Sequence, residues 1–128
     1  MRAIRDHVVE GDSASRLLTI LVMDEPGAGG ANHHYHLDWL NDQSWKNEKS
    51  NSLEIQFQNG PIQEVGVNGV TNEALLAIVI DRLKSFQAGP FACLENADAQ
   101  LHCEAALDLL KLRTLRRMAR GVEGRLEK

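Results

Sequence analysis

Residues 71–121 read TNEALLAIVIDRLKSFQAGPFACLENADAQLHCEAALDLLKLRTLRRMARG, and this stretch decides the fold. Thr71 can cap a helix with Glu73 in its first turn. Leu75, Leu76, Val79, Ile80, Leu83 and Phe86 then recur at the spacing that lines one helical face. A first helix is predicted over about residues 72–87. Gly89-Pro90 ends it, because proline cannot continue a helix and drives the residue before it out of helical geometry. Asn96 can cap a second helix over about residues 97–120, with Gly121 as its stop. Two long helices joined by about ten residues, Gln87 to Asn96, predict an antiparallel hairpin.

Upstream the period changes from helical to strand-like. Leu53, Ile55 and Phe57 alternate with Glu54, Gln56 and Gln58, giving a strand one apolar and one wet face. Leu17 to Met23 is an almost continuous run of Leu, Ile and Val broken by Thr19, as in a central strand, and His34 to Trp39 is a third, weaker candidate. Turn chemistry separates them: Pro26-Gly27-Ala28-Gly29-Gly30 follows one run and Asn59-Gly60-Pro61 another. The polar segment Asn41 to Asn51 reads as an exposed loop. The expected fold is α+β. A small N-terminal antiparallel sheet in residues 1–68 is followed by a long C-terminal helical hairpin in 69–128, the two forming one compact unit that oligomerises through the hairpin.

With 128 residues, 43% of them hydrophobic and 25% charged, the chain has room for one domain, or two small ones sharing a core. Its net charge of −4 excludes a binder that holds nucleic acid through a pervasive positive field. The charge is uneven, however. Residues 1–100 carry 7 Lys/Arg against 14 Asp/Glu, whereas residues 101–128 carry 7 against 4. No apolar run approaches the ~20 residues of a membrane span, and the N-terminus lacks the apolar core of a signal peptide, so it reads as unprocessed and cytosolic. Cys93 and Cys103 lie too far apart for a close zinc-binding pair and are too few for a disulfide scaffold, which leaves buried free thiols.

The second helix explains where the basic charge goes. At 100° per residue from Ala105, Leu109 falls at about 40°, Ala106 at about 100° and Leu110 at about 140°. Arg116, Arg120, Arg113 and Arg117 fall at about 20°, 60°, 80° and 120°, continuing that stripe. Leu112, Leu115, Met118 and Ala119 occupy about 220° to 340°, so the helix has two faces to bury, and one hairpin partner covers only one. A second subunit is the simplest cover.

Residues 111–120 hold five basic residues and no acid. Arg113, Arg117 and Arg120 follow i, i+4, i+7, close enough to act on one polyphosphate, and guanidinium groups fork two hydrogen bonds onto phosphate oxygens. Lys and Arg near a helix C-terminus also suit the macrodipole, so a solvated basic face is the plain alternative. Phe86 and Phe91 flank the turn, where a ring could stack on a base. Asn96 offers a donor and an acceptor to a base edge or ribose.

His33, His34 and His36 invite a metal reading, but two histidines on one strand face lack an obvious third ligand, and no metal is expected. No phosphate-binding glycine loop ending in Lys-Ser/Thr is present, and nothing suggests a nucleophile triad. The chain reads as a binder rather than an enzyme.

The segments IQFQNGPIQEVGVNGVTNEALLAIVIDRL, SFQAGPFACLENA and RTLRRMARGVEG occur in the order in which they stand in the phage anti-Thoeris sponge family. The stretch from Ile55 to Gly124 resembles that family, GGANHHYHL adds a looser N-terminal match, and the hairpin is more distantly similar to the phage anti-CBASS sponge.

The resemblance implies a protein that sequesters, without cleaving, glycocyclic ADP-ribose made by TIR-domain proteins, acting in the cytoplasm of the infected bacterium and needing no cofactor. It implies a homodimer built through helical hairpins, extended in some members to a hexameric trimer of dimers whose separate sites hold cyclic trinucleotides. The positions it assigns to ligand are Phe86 for stacking, Asn96 for polar recognition, and Arg113 and Arg117 for the phosphates. Arg120 would support the pocket or a second site. Neither a membrane nor a nucleic acid is implied as partner. The family usually has an aromatic at Leu109, an acid at Ala105 and a small hydroxyl residue at Arg125, so hairpin packing and assembly are the features to test. The competing readings are an enzyme degrading the same signal and a module docking a protein or nucleic acid.

Overall fold

A computed structural model of the protein describes residues 1–40 and 50–121. They divide into two compact units, residues 1–60 with 67–69, and residues 61–66 with 70 onward.

The first unit is a four-stranded antiparallel sheet. Its strands are β1 (Arg2–Ile4), β2 (Leu18–Val22), β3 (His34–Leu40) and β4 (Ser50–Gln56), in the order β1-β2-β3-β4. Each is hydrogen-bonded to its sequence neighbour, so every connection is a simple reversal. The predicted run Leu17 to Met23 is the internal strand β2. The weaker candidate His34 to Trp39 is a full seven-residue strand that joins β2 to β4. The register stacks Ile4, Ile20, Leu37 and Leu53 in one row and Val22, Tyr35 and Ile55, with Arg2 at the edge, in the next, which makes one face mainly apolar. Val22 is buried at its centre, and the Tyr35 ring meets Phe57 edge-on at 5.6 Å.

Two short elements have no sequence signal strong enough to predict them: β1 has only three residues, and helix α1 (Ser13–Arg16) is one turn capped by Asp12. Of the loop expected over Asn41 to Asn51, residues 41–49 lie outside the described residues. Asn51 itself belongs to β4.

After β4, Asn59 and Asn68 tie the chain together, Asn59 N–H donating to Asn68 Oδ1 at 2.8 Å and Asn68 Nδ2 to the Asn59 carbonyl at 2.7 Å. This brings Gly69 so close to the end of β4 that a Cβ there would stand 2.4 Å from the Phe57 backbone carbon.

The second unit contains α2 (Ile62–Val65), α3 (Asn72–Gln87) and α4 (Leu94–Ala119). The predicted first helix is present with its cap, Thr71 Oγ1 accepting from Ala74 N–H at 3.1 Å. The second begins three residues earlier than expected. Its N-cap is Cys93, whose sulfur accepts the Asn96 backbone N–H at 3.4 Å, so Asn96 lies inside the first turn and is not the cap. Sulfur is not a usual capping atom, which is why the sequence pointed to Asn96 instead. The same geometry overturns burial of both thiols: Cys93 is exposed and Cys103 half-buried. The connection shrinks to residues 88–93, and α3 and α4 pack together as a hairpin. At the far end Gly121 takes a left-handed φ of 72° and closes α4, as expected of a stop residue. Among the described residues no helix is long and apolar enough to cross a membrane.

Candidate functional site

The hairpin is asymmetric in length. At 1.5 Å per residue, the 16 residues of α3 span about 24 Å and the 26 of α4 about 39 Å, so roughly the last ten residues of α4 extend beyond α3. That overhang is the segment from Lys111 to Arg120 with its five cations.

Around α4 the side chains sort into two faces. Asn96, Gln100, Cys103, Leu107, Leu110, Thr114 and Arg117 are half-buried at spacings of three and four, a stripe that includes the contact with α3. The opposite face presents leucines to solvent: Leu94, Leu101, Leu109, Leu112 and Leu115 are all exposed, with exposed Asp98 and Asp108 among them, and α4 buries no residue fully. The helix does have two faces, but not with the expected membership: Leu109, grouped by angle with Ala106 and Leu110, lies on the open side with Leu112 and Leu115, while Ala106 and Leu110 are half-buried. On α3, Leu76, Ile80, Leu83 and Gln87 turn inward, while Ile78, Val79, Arg82 and Phe86 are exposed.

Four of the five predicted ligand positions are grouped in two places. Phe86 stands in the last turn of α3 and Asn96 in the first turn of α4, so both sit at the tight end of the hairpin. Phe86 is 41% exposed, and the Arg82 guanidinium lies 5.6 Å from its ring centroid, presenting a cation to the face where a base could stack. Arg113 and Arg120 stand on the overhang, in an open groove of about 590 Å³ lined by Leu109, Leu112, Arg113, Arg116, Ala119 and Arg120. The fifth, Arg117, does not line this groove and is half-buried with its own interaction. Leu112 and Ala119, assigned by angle to the side away from the arginines, adjoin Arg116 in the groove, because about 340° and 320° are neighbours of 20° on a helical wheel. From Asn96 to Arg113 the helix rises about 26 Å, so one copy does not bring the aromatic end and the arginine end to a single small ligand.

Two groups were missed by sequence reasoning. Arg82 carries a usable signal, since it precedes Phe86 by four residues. Arg116 is visible on the helical wheel but lies outside the i, i+4, i+7 set.

The histidines have a different setting from the one expected. His34 and His36 do share a face of β3, but β4 supplies the carboxylate that the sequence seemed to lack. Glu54 lies opposite His36 in the register and contacts both imidazoles, and Asp38 lies 3.3 Å from His36 Nε2. The hydrogen bond to Glu54 raises the His36 pKa above its ordinary value against the opposing effect of burial, and the same two histidines lower that of Glu54. His33 is apart from them, buried, with its backbone N–H donating to the Asp24 carboxylate at 3.0 Å. Among the described residues no group of three donors is arranged to hold a metal ion.

Comparison with known proteins decides the relationship that this hairpin suggests. A family model described as the Acb2/Tad1 hairpin domain matches residues 49–113. The chain belongs to the Acb2/Tad1 hairpin family. The match runs from the start of β4 through α3 and into α4 as far as Arg113, so it includes Phe86, Asn96 and Arg113 and stops before Arg117 and Arg120. The chain is also 53% identical over 74 residues to Thoeris anti-defense 1 of Bacillus phage SBSphiJ7, a stretch that is 58% of this chain and 52% of that relative. The alignment thus spans about half the length of the curated relative.

Proposed function

We propose that this chain is a phage anti-defence protein that sequesters a cyclic nucleotide immune signal without cleaving it. The signal is glycocyclic ADP-ribose of the kind made by TIR-domain proteins of Thoeris, captured in the cytoplasm of the infected bacterium before it reaches its effector. Membership of the hairpin family and the likeness to Thoeris anti-defense 1 of the Bacillus phage support the anti-defence role. The exposed aromatic, the amide and the unusually basic overhang support a ligand with a base, a ribose and phosphates.

One observation carries the reading further: the two groups of candidate residues sit at opposite ends of a rigid helix, about 26 Å apart. Two hairpins aligned antiparallel bring the Phe86 and Asn96 end of one copy to the Arg113 and Arg117 end of the other. They also cover the apolar faces of α3 and α4 that a single copy leaves exposed. The working unit is therefore a homodimer with two equivalent composite pockets, able to assemble further into a trimer of dimers with separate sites for cyclic trinucleotides.

The test is to incubate the protein with the signal, denature it, and assay the supernatant for effector activation. Intact, active ligand is expected from the wild type. Arg113→Ala or Arg117→Ala should leave the ligand free throughout while retaining native helix content. Destruction of the signal would replace the sponge with an enzyme.

A further inference from the structure

We propose that Arg116, which lies in the arginine stripe but outside the i, i+4, i+7 set and beyond the family match, holds phosphate together with Arg113 and Arg120 in the groove on the exposed side of α4. This rests on the nucleotide-binding reading above and names a further residue that determines affinity at that site.

The groove has the composition of a phosphate cradle with an apolar floor. Arg113, Arg116 and Arg120 follow i, i+3, i+7, so their Cα atoms rise through about 10 Å along one side of the helix, a span that matches a diphosphate with its flanking ribose. Leu109, Leu112 and Ala119 form the floor between and beside them, and no acid is among the described lining residues. Among the described residues, no hydrogen bond or ion pair engages any of the three guanidiniums. Three like charges on adjacent turns repel one another, and a bound anion removes that cost. At about 590 Å³ the groove is within the size range of small-molecule sites.

Arg117 contrasts with this set. It falls on the half-buried side of α4, roughly 100° round the helix from Arg116, so the two arginines approach a ligand from different sides with Arg113 between them.

The experiment is calorimetric titration of the full chain with glycocyclic ADP-ribose, cyclic triadenylate, inorganic phosphate and a short DNA duplex, at low and moderate salt. Arg116→Ala is expected to weaken binding of the cyclic nucleotide at least tenfold, with solution mass and thermal midpoint unchanged and a shallower dependence of affinity on salt. Arg116→Lys, which keeps the charge but loses the fork, should recover only part of the loss. Wild-type affinity in Arg116→Ala, alongside lost binding in Arg113→Ala, would overturn this proposal and leave the nucleotide reading standing. So would a fall in mass, which would assign Arg116 to holding the two copies together rather than to phosphate, or a loss confined to the DNA titration. Absence of nucleotide binding by the wild type would overturn both.

Discussion

At the scale of single residues, chemistry that alternation alone does not reveal is set by cross-strand register. His34 and His36 look unpartnered in sequence because their carboxylate arrives from Glu54, 18 residues away from His36, through the β3 and β4 pairing. Thr19 and Leu21 of β2, opposite Asp38 and His36, add no charge to this cluster. The contacts make the sheet sensitive to pH. His36, whose pKa is raised on folding, contributes stability that is complete below its ordinary value of 6.5 and is lost as pH rises through the raised one. Glu54, whose pKa is lowered, contributes stability that is complete above its ordinary value of 4.5 and is lost as pH falls through the lowered one. Both contributions are therefore complete between pH 4.5 and 6.5. The thermal midpoint should be highest in that window and decline on either side, modestly because the groups are partly solvated. Glu54→Gln should flatten the profile. A wild type no more responsive to pH than this variant would remove the cluster from the account.

At the scale of elements, the parts most legible in the sequence are those with the longest periods. Residues 72–87 repeat their apolar spacing over four turns and carry a conventional threonine cap, and the structure has the helix between those bounds. The strand runs of β2 and β4 are equally plain. What alternation cannot reveal is an element too short to show a period, such as β1, or an end defined by an unusual atom, such as the Cys93 sulfur at the start of α4. The candidate site was legible in its residue types but not in its distances. The arginine stripe is visible on a helical wheel, whereas the unequal helix lengths that leave it overhanging depend on where α4 begins and ends. The junction after β4 offers a sharper test of packing at this scale. A methyl group on Gly69 would meet the backbone of Gln56 and Phe57 at 2.4 to 2.6 Å, atoms that cannot swing aside as a side chain would. Gly69→Ala should therefore lower stability by about 1–3 kcal/mol in chemical denaturation. A change within a few tenths of a kcal/mol would show that the strand end gives way freely.

At the scale of the whole molecule, the net charge of −4 is the sum of an acidic scaffold and a cationic helix end, and only the second suits a phosphate ligand. A small chain can bind such a ligand tightly if it removes the arginines from water, and a lone hairpin with open faces on both helices does not. In the proposed function two copies share each pocket, Phe86 and Asn96 from one and the arginines from its partner. The most direct measurement is complementation between two defective variants, Phe86→Ala and Arg113→Ala, refolded together and titrated with glycocyclic ADP-ribose. If pockets are shared across a two-fold dimer, the mixture contains heterodimers with one pocket free of either substitution, and about one pocket in four recovers wild-type affinity. Neither variant alone should show such a class of sites. A mixture that binds no better than its two components would contradict the shared pocket and place each site within a single chain.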